Sequence, residues 1–354
     1  MSERILLATR KGLLDFQKRG GNWTNTRTSF AGQPVSAVLR DPVKGLLYAA
    51  LNLGHFGVKL HRSADEGANW EEITCPSYAG IAGEEKPSLQ LIWILERDQQ
   101  GTLWAGTIPG GLFKSTDDGN SWQLNENLWN NPMRKEWFGG GYDAAGIHSI
   151  CVDQRGDGKM ALAVSCGGVW LSDDYGETWR ASTKGMIADY MPPEQADNPA
   201  TQDPHRLVQC TAEPDHFWVQ HHNGIFYSSD RCANWTRVHA QPSSFGFAVA
   251  VHPHNPQEAW FVPGIKDEKR YPVDSRLVVT HTQDAGVTFH LQTNGLPQQE
   301  SFDLIYRHCL DIDSSGKQLV MASTTGNMWL SENGGAQWQC ITNYLPPVYA
   351  VRFV

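Results

Sequence analysis

Ser63-Ala64-Asp65-Glu66-Gly67-Ala68-Asn69-Trp70 is the stretch whose recurrence decides the architecture. It returns as Ser115-Thr116-Asp117-Asp118-Gly119-Asn120-Ser121-Trp122 and as Ser172-Asp173-Asp174-Tyr175-Gly176-Glu177-Thr178-Trp179. A fourth copy reads Ser228-Ser229-Asp230-Arg231-Cys232-Ala233-Asn234-Trp235. Two looser copies follow, Thr282-Gln283-Asp284-Ala285-Gly286-Val287-Thr288-Phe289 and Ser331-Glu332-Asn333-Gly334-Gly335-Ala336-Gln337-Trp338. A decayed copy at Phe16–Trp23 keeps Gly20 and Trp23. The aromatic positions 23, 70, 122, 179, 235, 289 and 338 stand 47, 52, 57, 56, 54 and 49 residues apart. A period near 50 points to a propeller or a related repeat architecture.

Each copy reads as a hairpin turn. The Asp accepts backbone N–H groups that follow it, and the Gly supplies the positive φ at which the chain reverses. The aromatic then opens the next strand and covers its neighbour. Between copies the apolar runs give three strands before the turn and one after. In the second unit they are Val35–Leu39, Leu46–Leu51, Val58–Arg62 and Trp70–Thr74. In the third they are Leu91–Glu96, Thr102–Gly106, Leu112–Ser115 and Trp122–Leu124. Four short strands joined by tight turns describe a propeller blade.

The ends complete the count. Only Ile5–Thr9 and Leu13–Phe16 precede the decayed turn, while Val348–Val354 is left over after the last. The last strand is expected to become the innermost strand of the first blade, which removes an exposed edge. The expected fold is all-β: a single seven-bladed β-propeller over residues 1–354, with turns at 16–23, 63–70, 115–122, 172–179, 228–235, 282–289 and 331–338, closed by pairing of the C-terminal strand with the N-terminal blade.

Composition narrows the function classes. With 29 Lys and Arg against 38 Asp and Glu, the net charge of −9 argues against nucleic acid as a partner. No apolar run reaches 18 residues, so no membrane span is expected. The seven Cys form no CxxC pair and no signal peptide is visible, which fits free thiols in the cytoplasm.

The S/T-x-D-x-G-x-x-W signature resembles the Asp-box (BNR) repeat, and the resemblance to Asp-box propeller proteins runs the whole length of the chain. It is nearest to bacterial sialidase-like and photosystem II stability/assembly-factor-like repeat proteins, of which Leu53-Gly54-His55-Phe56-Gly57 and Ile108-Pro109-Gly110-Gly111-Leu112-Phe113 are characteristic. Sialidases themselves are six-bladed and place an F-R-I-P arginine motif near the start, where this chain has Thr9-Arg10-Lys11-Gly12. No sialidase residues are therefore carried over. Xyloglucanases of the same class set their cleft between two propellers, and the count here gives one.

In Asp-box proteins with an active site, the face opposite the Asp-box turns carries it. The long loops fall on that face here: Cys75–Ser88, Glu126–Ile147, Lys184–Pro204 and Pro263–Ser275. Loops beyond about 12–15 residues in a compact domain are often functional. The same rim collects His55, His148, His205 and, because adjacent strand residues point oppositely, one of His221 and His222, of which His222 is taken as the candidate. Histidines brought together from different blades suit one divalent transition metal, Zn, Mn, Fe or Ni. The structural alternative is that each His caps a strand end or satisfies a backbone carbonyl.

Arg10, Arg134 and Arg307 are candidates for gripping a carboxylate or phosphate through paired hydrogen bonds. Trp129 and Trp137 are candidates for a sugar-stacking wall, with a packed loop core as the alternative. Gly139-Gly140-Gly141-Tyr142-Asp143 resembles a lid and supplies Tyr142 and Asp143 as candidate catalytic groups beside His205. By architecture alone the cluster is similar to that of oligogalacturonate lyases, which implies His205 or Tyr142 as base and Arg307 on a carboxylate. Two functions stay open: a metal-assisted hydrolase or lyase acting on a small sugar or sugar acid, and a non-catalytic binding or assembly propeller that holds a partner protein or ligand.

Overall fold

Four consecutive residues, Ile5–Ala8, are at most 1% exposed, whereas the outer strand Glu71–Ile73 is open to solvent. A strand with both faces covered reads as a continuous apolar run, and one at the rim does not. In every sheet the outermost strand is the most exposed. The structure is a computed structural model and describes residues 1–79 and 86–354; the middle of the Cys75–Ser88 loop, residues 80–85, lies outside the described residues. The described strands form seven four-stranded antiparallel sheets. Helix is confined to one α-turn, Glu126–Trp129, and a few 3-10 turns. The fold is an all-β, seven-bladed β-propeller.

The first sheet joins the two ends of the chain. Val348–Phe353 pairs antiparallel with Arg4–Thr9, placing Val351 opposite Leu7 and Phe353 opposite Ile5. The C-terminal strand is thus the innermost of its blade, as its apolar pattern requires.

The chain divides into two units. The first comprises Met1–Gly32, Thr183–Asp197 and Pro204–Val354, which hold four of the sheets. Its core runs through Ile5, Leu7, Trp260, Ile305, Trp329 and Val351. The second comprises Gln33–Ser182 and Asn198–Asp203, with three sheets and cores built on Tyr48, Phe113, Ile147 and Trp170. In this second unit Arg97 is buried between Asp41, at 3.1 Å, and Asp118, at 2.9 Å, which ties a strand end to the turn at 115–122.

Six of the repeated turns share one hydrogen-bond plan. The Ser63 hydroxyl donates to Asp65 Oδ1 (2.8 Å) and accepts the N–H of Gly67 (2.9 Å), while Asp65 Oδ1 accepts the N–H of Asn69 (2.8 Å). The residue before the glycine and the glycine itself both have positive φ, 56° at Glu66 and 82° at Gly67. The fourth turn keeps this shape with Cys232 at φ 63°, where a side chain is disfavoured. The sixth keeps it with Asn333, whose side-chain oxygen still takes the N–H of Gln337 at 2.9 Å.

Residues 16–23 differ from this plan. The strands Gly12–Arg19 and Asn22–Ser29 meet across a two-residue turn of Gly20 (φ 57°) and Gly21 (φ 84°). Positive φ at both central positions matches the twist of a hairpin, so two glycines replace the hydroxyl–carboxylate turn. Trp70 and Trp122 also end their turns and stand just before the outer strands Glu71–Ile73 and Gln123–Leu124, one residue later than the apolar pattern suggests.

Candidate functional site

The site starts from an irregularity that recurs from blade to blade. In the strand Pro204–Gln209, Pro204 pairs with His221 and Arg206 with Gln220, so His205 is left out of the ladder. A bulge of this kind re-aims one side chain and increases the local twist. The same displacement, near the entering end of an inner strand, falls at Ser36, Trp93, His148 and Tyr349, and across Phe247-Ala248. In six of the seven blades the inner strand is thereby released locally from the alternation of the pleat, and Leu310–Ile312 alone pairs without a shift.

His205 is 2% exposed and tightly held. Its Nδ1 donates to the carbonyl of Gly246 at 2.6 Å, which fixes the tautomer and leaves Nε2 as the lone-pair nitrogen. Its ring stacks on Phe247 with centroids 4.4 Å apart and planes 11° from parallel. His222 follows the strand Phe217–His221 and meets the His205 ring at 5.5 Å, edge to face, with Tyr190 on its other side at 5.0 Å. His221 turns away: it is fully buried, takes the N–H of Asn223 on Nδ1 and sits edge-on to Phe226.

Asp203 supplies a third group. It is joined to His205 through Pro204 alone, so the chain itself sets it beside the imidazole. Asp203, His205 and His222 each present a ligand atom, and these atoms lie within 4.8 Å of one another. Asp203 Oδ1 accepts the N–H of Cys166 at 3.2 Å and is 3.4 Å from the Ser165 hydroxyl. Cys166 has φ 49°, a left-handed conformation that aims its N–H at the carboxylate. Among the described residues these three form the one group of metal-ligating side chains, and neither His55 nor His148 belongs to it.

Two arginines approach from the same unit. The Arg307 guanidinium lies 5.3 Å from the centre of the Phe247 ring, and that of Arg270 lies 5.4 Å from it. Tyr306 meets the same ring edge-on at 5.4 Å. Glu268 is held below the usual carboxylate range, first by a backbone N–H and then by Lys266, with His222 adding to the effect.

The remaining sequence candidates are placed as follows. His55 is exposed on the short turn Gly54–Phe56, its ring 3.8 Å from Phe56. His148 is fully buried with Nδ1 2.9 Å from the Ser149 hydroxyl and its ring edge-on to Trp93. Tyr142 is 47% exposed and also edge-on to Trp93, and Asp143 is exposed beside it. Arg134 lies 3.3 Å over the Trp129 ring, which packs on Tyr78 at 4.7 Å. Trp137 stands edge-on to Trp170 and packs against the core around it. Both tryptophans are half-buried and pack on aromatic rings of neighbouring segments, in line with the packed alternative to a sugar-stacking wall. Arg10 is exposed in the turn after Arg4–Thr9, its N–H on the carbonyl of Pro347.

The sequence reading also places Asp203 on the rim beside His205 but assigns it no role, and Arg270 is not among its candidates. Asp203 had one usable signal, its place at i, i+2 from a histidine at the mouth of an inner strand. Arg270 had none beyond lying in a long loop.

No protein family matches the sequence, and no curated protein matches it. Solved structures do match the fold. A GH74 xyloglucanase from Xanthomonas campestris aligns with TM-score 0.66 and 14% identity over 97% of this chain and 53% of its own. An ancestral GH74 enzyme aligns with TM-score 0.61 and 16% identity over 88% of this chain and 39% of its own. This chain thus spans about half or less of those enzymes. YCF48 from Cyanidioschyzon merolae aligns with TM-score 0.53 and 12% identity over 88% and 86% of the two chains. YCF48 bound to D1 peptide aligns with TM-score 0.52 and 12% identity over 87% and 82%. At these identities the likeness is one of fold.

Proposed function

We propose that this chain is a metal-dependent enzyme, a hydrolase or lyase, that acts on a small sugar or sugar acid at Asp203, His205 and His222. The observation that carries the reading is the approach of one carboxylate and two imidazoles to within 4.8 Å of one another. Ligand atoms about 2.1 Å from a shared ion stand about 3.0–3.5 Å apart, so small side-chain rotations close the set. Two neutral imidazoles and a carboxylate suit Zn, Mn, Fe or Ni, and three protein ligands leave positions open for water and substrate. Such an ion supplies Lewis acidity and a water of lowered pKa. The Gly246 carbonyl orients His205 for ligation, and the Cys166 N–H does the same for Asp203.

We assign the six S/T-x-D/N turns as Asp-boxes, and the fold likeness to GH74 enzymes agrees with a carbohydrate substrate. The seven free cysteines fit a cytoplasmic setting. Metal analysis of protein purified without a polyhistidine tag tests the reading. About one transition-metal ion per chain is expected, and none in His222→Ala at unchanged circular dichroism. Failure of the wild type to take up Zn, Mn, Fe(II) or Ni would sink it.

A second reading, a non-catalytic propeller that holds a partner protein, is favoured by the fold likeness to YCF48, which one structure shows bound to D1 peptide. A stoichiometric partner captured equally by wild type and His222→Ala would support it.

A further inference from the structure

We infer that the ligand taken beside His205 is an anion, a small molecule bearing a carboxylate or phosphate that Arg270 and Arg307 grip over the Phe247 ring. The inference deepens the metal-enzyme reading by naming the charge of its substrate, and it rests on that reading for the place of the reacting atoms.

Phe247 connects the parts. His205 stacks on it at 4.4 Å, and two guanidinium groups come within 5.3 and 5.4 Å of its centre. A guanidinium offers a planar fork that matches a carboxylate or phosphate with two hydrogen bonds.

The loop that carries Arg270 is built to hold it there. Ile265 N–H donates to the carbonyl of Tyr271 (3.0 Å), and Lys266 and Lys269 form an antiparallel bridge, so the loop is a closed hairpin. Its acids do not neutralise the ring of positive charge firmly. Asp267 pairs with Arg270 at 2.5 Å, but both side chains are about two-fifths exposed, 38% and 41%. An exposed pair of this kind is weak and exchanges readily for a ligand oxygen. Glu268 pairs with Lys266 at 3.2 Å. The Phe247 ring, which Arg270 approaches and His205 stacks on, joins this charged hairpin to His205.

The test measures binding of D-glucuronate, D-glucose 6-phosphate and D-glucose by titration calorimetry, with metal content read separately. At least one acid is expected to bind the wild type about tenfold or more tighter than glucose. Arg270→Ala and Arg307→Ala are each expected to weaken that acid about tenfold while metal content stays unchanged. Arg270→Lys and Arg307→Lys, which keep the charge but lose the fork, are expected to fall between. Preference for glucuronate identifies a carboxylate ligand, and preference for the phosphate identifies a phosphate. Equal binding of glucose, no binding of either acid, or full acid affinity in both Ala variants overturns the inference. A wild type that takes up no metal yet prefers an acid leaves the grip standing and removes the enzyme reading.

Discussion

Two long loops of this protein, Glu126–Ile147 and Pro263–Ser275, look alike in the sequence and behave differently in the structure. Glu126–Ile147 turns its large groups inward: Arg134 covers Trp129, Trp129 covers Tyr78, and Trp137 packs on Trp170. Burial lowers the pKa of Arg134 and raises that of Tyr78. Pro263–Ser275 does the reverse. It closes through backbone bonds and leaves Lys266, Glu268 and Arg270 standing outward, with Arg270 beside Phe247. A loop that packs its aromatics becomes part of the core; a loop closed by its backbone keeps its side chains available for a ligand.

The largest effect should come from the site itself. His222→Ala is expected to weaken transition-metal binding at least about a hundredfold, in line with loss of a primary ligand, and calorimetric titration with Zn or Ni checks it. Retention of full affinity would break the contrast between the two loops.

In the packed loop, Trp129→Ala should destabilise the fold by about 2–4 kcal/mol in urea, because it uncovers Tyr78 and the Arg134 stack. Metal content should not change. If stability holds and carbohydrate binding falls instead, Trp129 belongs to a ligand wall after all.

The outward loop should give the opposite result. Arg270→Ala should change unfolding stability by no more than about 0.5 kcal/mol, since its ion pair is exposed. A larger loss would show that Pro263–Ser275 is structural as well.

The repeated turns give a yardstick for both loops in acid. Asp65 is lowered to about 2, first by the Asn69 N–H, and Asp117 to about 2, first by the Ser121 hydroxyl. A carboxyl depressed in the folded state adds stability above its unfolded pKa of about 3.9 and loses it as pH falls toward 2. Asp65→Asn should therefore flatten the stability curve between pH 4 and 2 and lower stability by a small amount above pH 4, at neutrality included. Asn333 already occupies the equivalent place in the sixth turn.

Much of the fold was legible because it rests on local rules repeated many times. The spacing of Trp70, Trp122 and Trp179 located the blades, and the surplus strand at 348–354 located their closure. Phe16–Trp23 was the exception: the two glycines that erode the motif are themselves a complete hairpin turn. His205 and His222 stood out as polar residues at strand ends, Asp203 stood on the same rim without an assigned role, and His55 and His148 carried the same signal without joining the group. A bulge shifts register by one residue and leaves no mark in composition, so which side chain leaves the ladder cannot be read from an apolar run.

The sequence by itself thus determined what repeats: seven blades, the hydrogen-bonded turns in six of them, and the pairing of the two termini, since each follows from contacts between residues near in the chain or from a strand left without a partner. Only the tertiary structure decided what does not repeat. That His222 meets Asp203 and His205, that Phe247 gathers His205 with Arg270 and Arg307, and that Trp129 and Trp137 pack on Tyr78 and Trp170 all depend on contacts between segments well separated in the chain. Those contacts are fixed by packing and register, for which no single stretch of sequence holds the information.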